Sequence, residues 1–74
     1  MPSAMRVTLN GEPRELQGHA TLEEAVRASG APPGARGIAV ALDGEVVPRG
    51  EWASTELQDG QRVEVLQAVQ GGSP

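Results

Sequence analysis

Met5-Arg6-Val7-Thr8-Leu9-Asn10-Gly11-Glu12-Pro13-Arg14-Glu15-Leu16 reads as a β-hairpin. Met5, Val7 and Leu9 alternate with Arg6, Thr8 and Asn10, the period-two pattern of a strand with one buried face. Asn10-Gly11 supplies the positive φ angles of a tight turn and sends the chain back through Arg14, Glu15 and Leu16. Pro13 has no N–H to give to a ladder, which places the returning strand at a sheet edge.

Downstream, Thr21-Leu22-Glu23-Glu24 has the form of a capping box, with the Thr21 hydroxyl accepting from the Glu24 amide and the Glu24 carboxylate reaching back to the cap. A helix is expected there. Leu22, Ala25, Val26 and Ser29 share its inner face, and Glu23, Glu24 and Arg27 face water. Gly30 is a C-terminal stop, and Pro32-Pro33 prevents continuation. Ile38, Val40 and Leu42 then alternate with Ala39 and Ala41, which leaves the opposite face of that strand unusually bare. Asp43-Gly44 is a second hairpin signal leading into Glu45-Val46-Val47-Pro48, a short edge strand by its proline. Trp52 and Leu57 are expected to cover the end of the core. Asp59-Gly60 turns the chain into a last strand, Arg62 to Leu66, with Val63 and Val65 inward. One amphipathic helix covering one face of a four- to five-stranded mixed sheet is the economical two-layer solution for this order, an α+β chain of the β-grasp, ubiquitin-like kind.

Size and charge limit what such a chain does. Seventy-four residues hold one domain and one core, and in so small a domain burial roughly cancels the ~1.5 kcal/mol of conformational entropy per ordered residue. The sequence has no cysteine, so disulfides and thiolate chemistry are excluded, and any sulfur it handles is not its own. Six arginines against ten carboxylates leave a net charge of −4 with no basic cluster, which argues against nucleic acid and for an electropositive protein partner. No apolar run reaches the ~18 residues of a membrane span, and Met1-Pro2-Ser3-Ala4 lacks the regions of a signal peptide, so a cytoplasmic location is expected. The expected organisation is an N-terminal extension over 1–4, a β-grasp domain over 5–69 and a flexible tail over 70–74.

Two segments resemble the thiamine-biosynthesis sulfur-carrier family, ThiS: Ala39-Val40-Ala41-Leu42-Asp43-Gly44-Glu45-Val46-Val47-Pro48-Arg49-Gly50-Glu51-Trp52, and Leu57 through Asp59-Gly60 and Arg62-Val63-Glu64-Val65-Leu66 to Gln67-Ala68-Val69-Gln70-Gly71-Gly72. Asn10-Gly11 and Thr21-Leu22 are similar to the family's first turn and helix start, so the resemblance spans about residues 5 to 72. It implies a carrier and not an enzyme. An E1-like adenylyltransferase would activate the C-terminal glycine carboxylate with ATP, sulfur would replace AMP to give a thiocarboxylate, and thiazole synthase would take the sulfur. Gly72 would be the adenylation and thiocarboxylate site, with Gly71, Gln70, Val69 and Leu66 meeting the partner. The resemblance implies no bound cofactor or metal, and ATP is used by the activating enzyme. Leu66, Val69, Ala39 and Ala41 are candidates for an apolar docking patch on the sheet face away from the helix.

The family normally ends at Gly-Gly, whereas here Ser73-Pro74 follows and Gly72 is an internal peptide. Three readings stand: a protease trims Ser73-Pro74 before activation, the last two residues are an artefact of the sequence's end, or the carrier is a divergent one, inactive until processed. Two other functions compete with the thiamine carrier. A molybdopterin-synthase small subunit shares the fold and the chemistry, though the Glu45 to Trp52 segment favours thiamine. A non-catalytic β-grasp recognition module is the other, its RNA-binding form disfavoured by acidic charge and the lack of stacking aromatics.

Bland readings are preferred for the remaining polar and aromatic residues. His19 is expected as an exposed loop histidine, since no partner residues lie beside it in sequence. Glu23 and Glu24 diverge by about 100° on a helix and suit its dipole better than acid–base work. Trp52 is expected in the core. No nucleophile–base pair, metal-ligand spacing or phosphate loop is visible.

Overall fold

The computed structural model describes residues 4–31 and 36–67. The elements in chain order are β1 (Ala4–Leu9), β2 (Glu12–Gln17), α1 (Leu22–Ala28), β3 (Ile38–Leu42), β4 (Glu45–Val46), a 3-10 turn (Arg49–Glu51) and β5 (Arg62–Gln67). They build one sheet in the order β2-β1-β5-β3-β4. The last strand in sequence is therefore the central one in space. It runs parallel to β1 and antiparallel to β3, and the outer pairs are antiparallel hairpins. A mixed five-stranded sheet with one helix on one face is the β-grasp architecture expected above.

The first hairpin turns as its sequence requires, with φ 51° at Asn10 and 83° at Gly11. The second repeats this at Asp43 (φ 50°) and Gly44 (φ 89°). Met5, Val7, Leu9, Val40, Val63 and Val65 form the inner face of the sheet, and Leu22, Ala25 and Val26 of α1 pack on it together with Ala20, Trp52 and Leu57. Pro13 sits in the outer strand β2, opposite Thr8, where its missing N–H costs no ladder bond on the open edge. Only Leu16 of β2 is part-buried.

A helix of seven residues is too short to persist alone in water. It is held by its start. Both bonds of the capping box are present, Glu24 N donating to Thr21 Oγ1 at 3.4 Å and Thr21 N donating to Glu24 Oε1 at 3.3 Å. The next amides are met from the 52–55 loop: Leu22 N donates to Thr55 O at 2.8 Å and Glu23 N to Trp52 O at 3.2 Å. At the other end Ser29 caps the helix, its hydroxyl donating to Val26 O at 2.6 Å, and Gly30 leaves the helical path at φ 91°.

Three details differ from the sequence reading. Ala4, grouped with the N-terminal extension, is the first residue of β1 and pairs with Gln17. Strand β4 keeps only Glu45 and Val46, because after Val47 N donates to Val40 O at 2.9 Å, Pro48 has no N–H to continue the ladder. His19 adopts φ 68°, a left-handed conformation not read from the sequence.

Leu22, the first residue of α1, is fully buried in the core. Leu22→Ala is expected to cost about 2–5 kcal/mol, against a total stability of about 4–11 kcal/mol for a domain of this size. Thr21→Ala should cost only about 1 kcal/mol. Urea unfolding followed by the fluorescence of Trp52 measures both, and similar losses for the two variants would contradict this packing.

Candidate functional site

Strand β5 is the element that leads to the chain's glycine end, and it is gripped from both sides. On the β1 side, Thr8 N donates to Gln61 O and Asn10 N to Val63 O, each at 2.9 Å. Direct parallel pairing covers only Thr8 with Arg62 and Leu9 with Val63, and the Asn10 side chain lengthens it: Oδ1 accepts from Val65 N at 2.7 Å. On the β3 side, five residue pairs run from Ile38 with Gln67 to Leu42 with Val63. Asp43 extends that ladder, its Oδ1 accepting from Arg62 N at 2.9 Å and its own N donating to Arg62 O at 2.8 Å. Below β5, Asp59 Oδ1 accepts from Arg6 N at 2.7 Å and Gly60 N donates to Arg6 O at 2.8 Å. All three Asx-Gly turns thus spend a side-chain oxygen on a neighbouring strand, and the root of the tail is rigid.

The sheet face away from α1 carries the candidate docking patch. Ala39 pairs with Leu66, and Ala41 pairs with Glu64 on one side and Val46 on the other. Directly opposed residues project to the same face, so Leu66, Ala39, Ala41 and Val46 form a continuous apolar area over β5, β3 and β4. Leu66 is 68% exposed and Val46 75%, and these are the exposed large hydrophobic side chains among the described residues. Val46 escaped the sequence reading because Glu45-Val46-Val47 has no alternation to assign a face, and only the register with Ala41 places it. The two alanines keep the patch flat, and Arg62 and Glu64 on the same strand border it. Of the other expected site residues, Val69, Gln70, Gly71 and Gly72 lie outside the described residues, as do Ser73 and Pro74.

The remaining polar and aromatic candidates are structural. His19 Nδ1 lies 3.6 Å from Glu56 Oε2, with the two side chains 86% and 64% exposed, a geometry worth little in water. Glu24 is occupied by the helix cap. Trp52 is buried, its Nε1 donates to Val47 O at 2.9 Å, and the Arg49 guanidinium sits 5.0 Å from its ring centroid. Among the described residues no three of His, Asp and Glu converge on a metal position, and no helix is long and apolar enough to cross a membrane. What these residues present to other molecules is a flat apolar face beside a rigid strand end.

Comparison with known proteins gives this arrangement its family. The ThiS family model matches residues 7–72. The chain belongs to the ThiS family. The sulfur carrier protein ThiS of Thermus thermophilus is 42% identical over 66 residues, covering 89% of this chain and 98% of that protein. The crystal structure of the thiamine biosynthesis protein ThiS from Geobacter metallireducens superposes with a TM-score of 0.71 at 33% identity, covering 92% of this chain and all of that one. The solution structure of a thiamine biosynthesis protein from the same organism gives a TM-score of 0.70 at 32% identity, covering 95% of this chain and 91% of that one. A thiazole synthase of Paramagnetospirillum magneticum is 30% identical over 69 residues, which cover 93% of this chain but only 21% of that protein. As a ThiS-family member the chain is a sulfur carrier of thiamine biosynthesis and not itself a catalyst.

The exposure of the patch implies that it contributes little to folding. Leu66→Ser and Val46→Ser should each change stability by no more than about 0.5 kcal/mol, whereas Trp52→Ala should cost about 3–5 kcal/mol. Thermal and urea unfolding of the three variants checks this, and a large loss at Leu66 would show that its side chain is packed.

Proposed function

We propose that this ThiS-family chain carries sulfur on the carboxylate of Gly72 and delivers it to thiazole synthase in the cytoplasm. An E1-like adenylyltransferase would join the Gly72 carboxylate to the α-phosphate of ATP, releasing pyrophosphate, and a sulfur donor would then displace AMP to leave a thiocarboxylate. The two steps are needed because a carboxylate resists nucleophiles until it becomes a mixed anhydride with a good leaving group. Family membership supports this chemistry, and the segment of the Paramagnetospirillum thiazole synthase that is similar to this chain supports the acceptor. The carrier needs no resident cofactor in this scheme, since ATP is bound and spent by its partner.

One geometric observation supports the division of labour: the patch of Leu66, Ala39, Ala41 and Val46 adjoins the end of β5, which contributes Leu66 to it and ends at Gln67, five residues before Gly72. Five extended residues reach about 17 Å, enough for the glycine carboxylate to enter a nucleotide site while the sheet face rests on the partner's surface. Leu66, Val69 and Gln70 would meet that partner, and Gly71 and Gly72, without Cβ atoms, would thread a narrow channel. In this reading residues 5–69 are the docking domain, 70–74 the tail, and a protease must cut between Gly72 and Ser73 before activation.

The test is intact mass after incubation with the adenylyltransferase, ATP and a sulfur source. A chain ending at Gly72 should exchange one oxygen for sulfur, and the chain that retains Ser73-Pro74 should remain unmodified. Efficient adenylation of the longer form would refute the trimming step. In the shorter form, Leu66→Asp should raise KM for adenylation by about tenfold or more with little change in kcat, the signature of lost docking energy at an interface anchor. An unchanged KM would remove the patch from the reading.

A further inference from the structure

Asn10 is the one asparagine of the sequence, and Gly11 follows it. The residue works in three ways at once: its backbone makes the hairpin turn at φ 51°, its N donates to Val63 O at 2.9 Å, and its Oδ1 accepts from Val65 N at 2.7 Å. The Asn10 residue itself is exposed. From this combination we infer that Asn10-Gly11 is a site of spontaneous covalent modification in the folded carrier, deamidation through a succinimide, and that its product controls how firmly the tail-bearing strand is anchored.

The reaction is intramolecular. Gly11 carries no Cβ, so its nitrogen approaches the adjacent side-chain amide unhindered. Attack on Asn10 Cγ forms an N–Cγ bond and breaks Cγ–Nδ2. Ammonia leaves, taking the proton from Gly11 N, and a cyclic imide remains. Water then adds at one of the two imide carbonyls. Opening at Cγ gives an ordinary aspartate, and opening at the main-chain carbonyl gives isoaspartate, with the backbone running through the side-chain methylene. Negative charge develops on Oδ1 during the attack. That oxygen already faces the Val65 N–H, a donor fixed where the charge appears.

The two products differ in their effect on β5. An aspartate keeps an oxygen in place to accept from Val65 N, now as a charge-assisted bond. Isoaspartate adds a methylene to a two-residue turn, so Leu9 and Glu12 lose the register the turn imposes, and the side-chain carboxylate no longer reaches Val65. Direct β1–β5 pairing covers only two residue pairs, so losing the Asn10 contacts removes a large share of the seam.

The experiment follows the folded chain at mildly alkaline pH beside the same chain in guanidinium chloride. Trypsin releases the peptide Val7 to Arg14, whose mass reports the exchange of NH2 for OH, and transfer of a labelled methyl group by an isoaspartyl methyltransferase reports the isoaspartate branch. The folded chain is expected to acquire both signals in that peptide. Conversion confined to the denatured sample would overturn the site. The isoaspartate form should then melt at a lower temperature than Asn10→Asp, and equal melting of the two would overturn the anchoring role.

Discussion

The parallel seam between β1 and β5 is the constraint on which the rest of the molecule depends. It joins the two ends of the fold, since β1 is the first element and β5 the last. Without it the N-terminal hairpin and the β3–β4–β5 unit would be separate two- and three-stranded pieces, and a two-stranded hairpin alone is marginally stable at best in water. Yet the seam is short, and turn chemistry makes up the difference. Asn10 adds a rung above it, and Asp59 with Gly60 adds two bonds to Arg6 below it. At Asn10 and Asp43 the residue that takes positive φ also carries the short side-chain oxygen, and in the third turn Gly60 takes the positive φ beside the oxygen of Asp59. The same Asx-Gly pairs therefore bend the chain and fasten it.

That economy suits a chain with one aromatic residue. The inner face is filled by valines and leucines of modest volume, with Trp52 closing one end. Trp52 is also held by polar bonds, its indole N–H donating to Val47 O and its carbonyl accepting from Glu23 N at the start of α1. The 52–55 loop therefore joins the edge strand to the helix. One consequence is that the outer face of the sheet is free of structural duty. Val46 and Leu66 can remain apolar and exposed because no element has to cover them for the domain to fold.

Local features of the fold and its β-grasp class were legible in the sequence, and the long-range side-chain bonds that fasten it were not. The hairpins at Asn10-Gly11 and Asp43-Gly44, the capping box at Thr21, and the inward faces of Met5, Val7, Leu9, Val63 and Val65 follow from spacing and turn chemistry, which are local properties of the backbone. The side-chain bonds from Asn10, Asp43 and Asp59 join residues up to 55 positions apart, and no local pattern announces such a pairing. The same limit applied to the candidate site. Ala39, Ala41 and Leu66 were visible because each alternates with a clear inward residue. Val46 was not, because its face is set by register with another strand and a one-residue slip would invert it. The left-handed φ of His19 is a further case, since the neighbouring Gly18 marks a turn but does not say that His19 takes the positive φ.

The placement of β5 also explains why a carrier benefits from this architecture. An edge strand leading to the tail would have one neighbour and could peel away when a partner pulled the end into its active site. A central strand with hydrogen bonds on both sides resists that pull, because extracting it breaks two ladders together. Under the proposed function, a partner would then draw on the chain beyond Gln67 while the apolar face, built partly from the same strand, keeps its shape. An apolar face already formed beside the end of β5 limits what has to be ordered when a partner binds. The exposed apolar face and the end of the central strand thus adjoin, with Ile38 and Gln67 the last pair that holds β5 to β3.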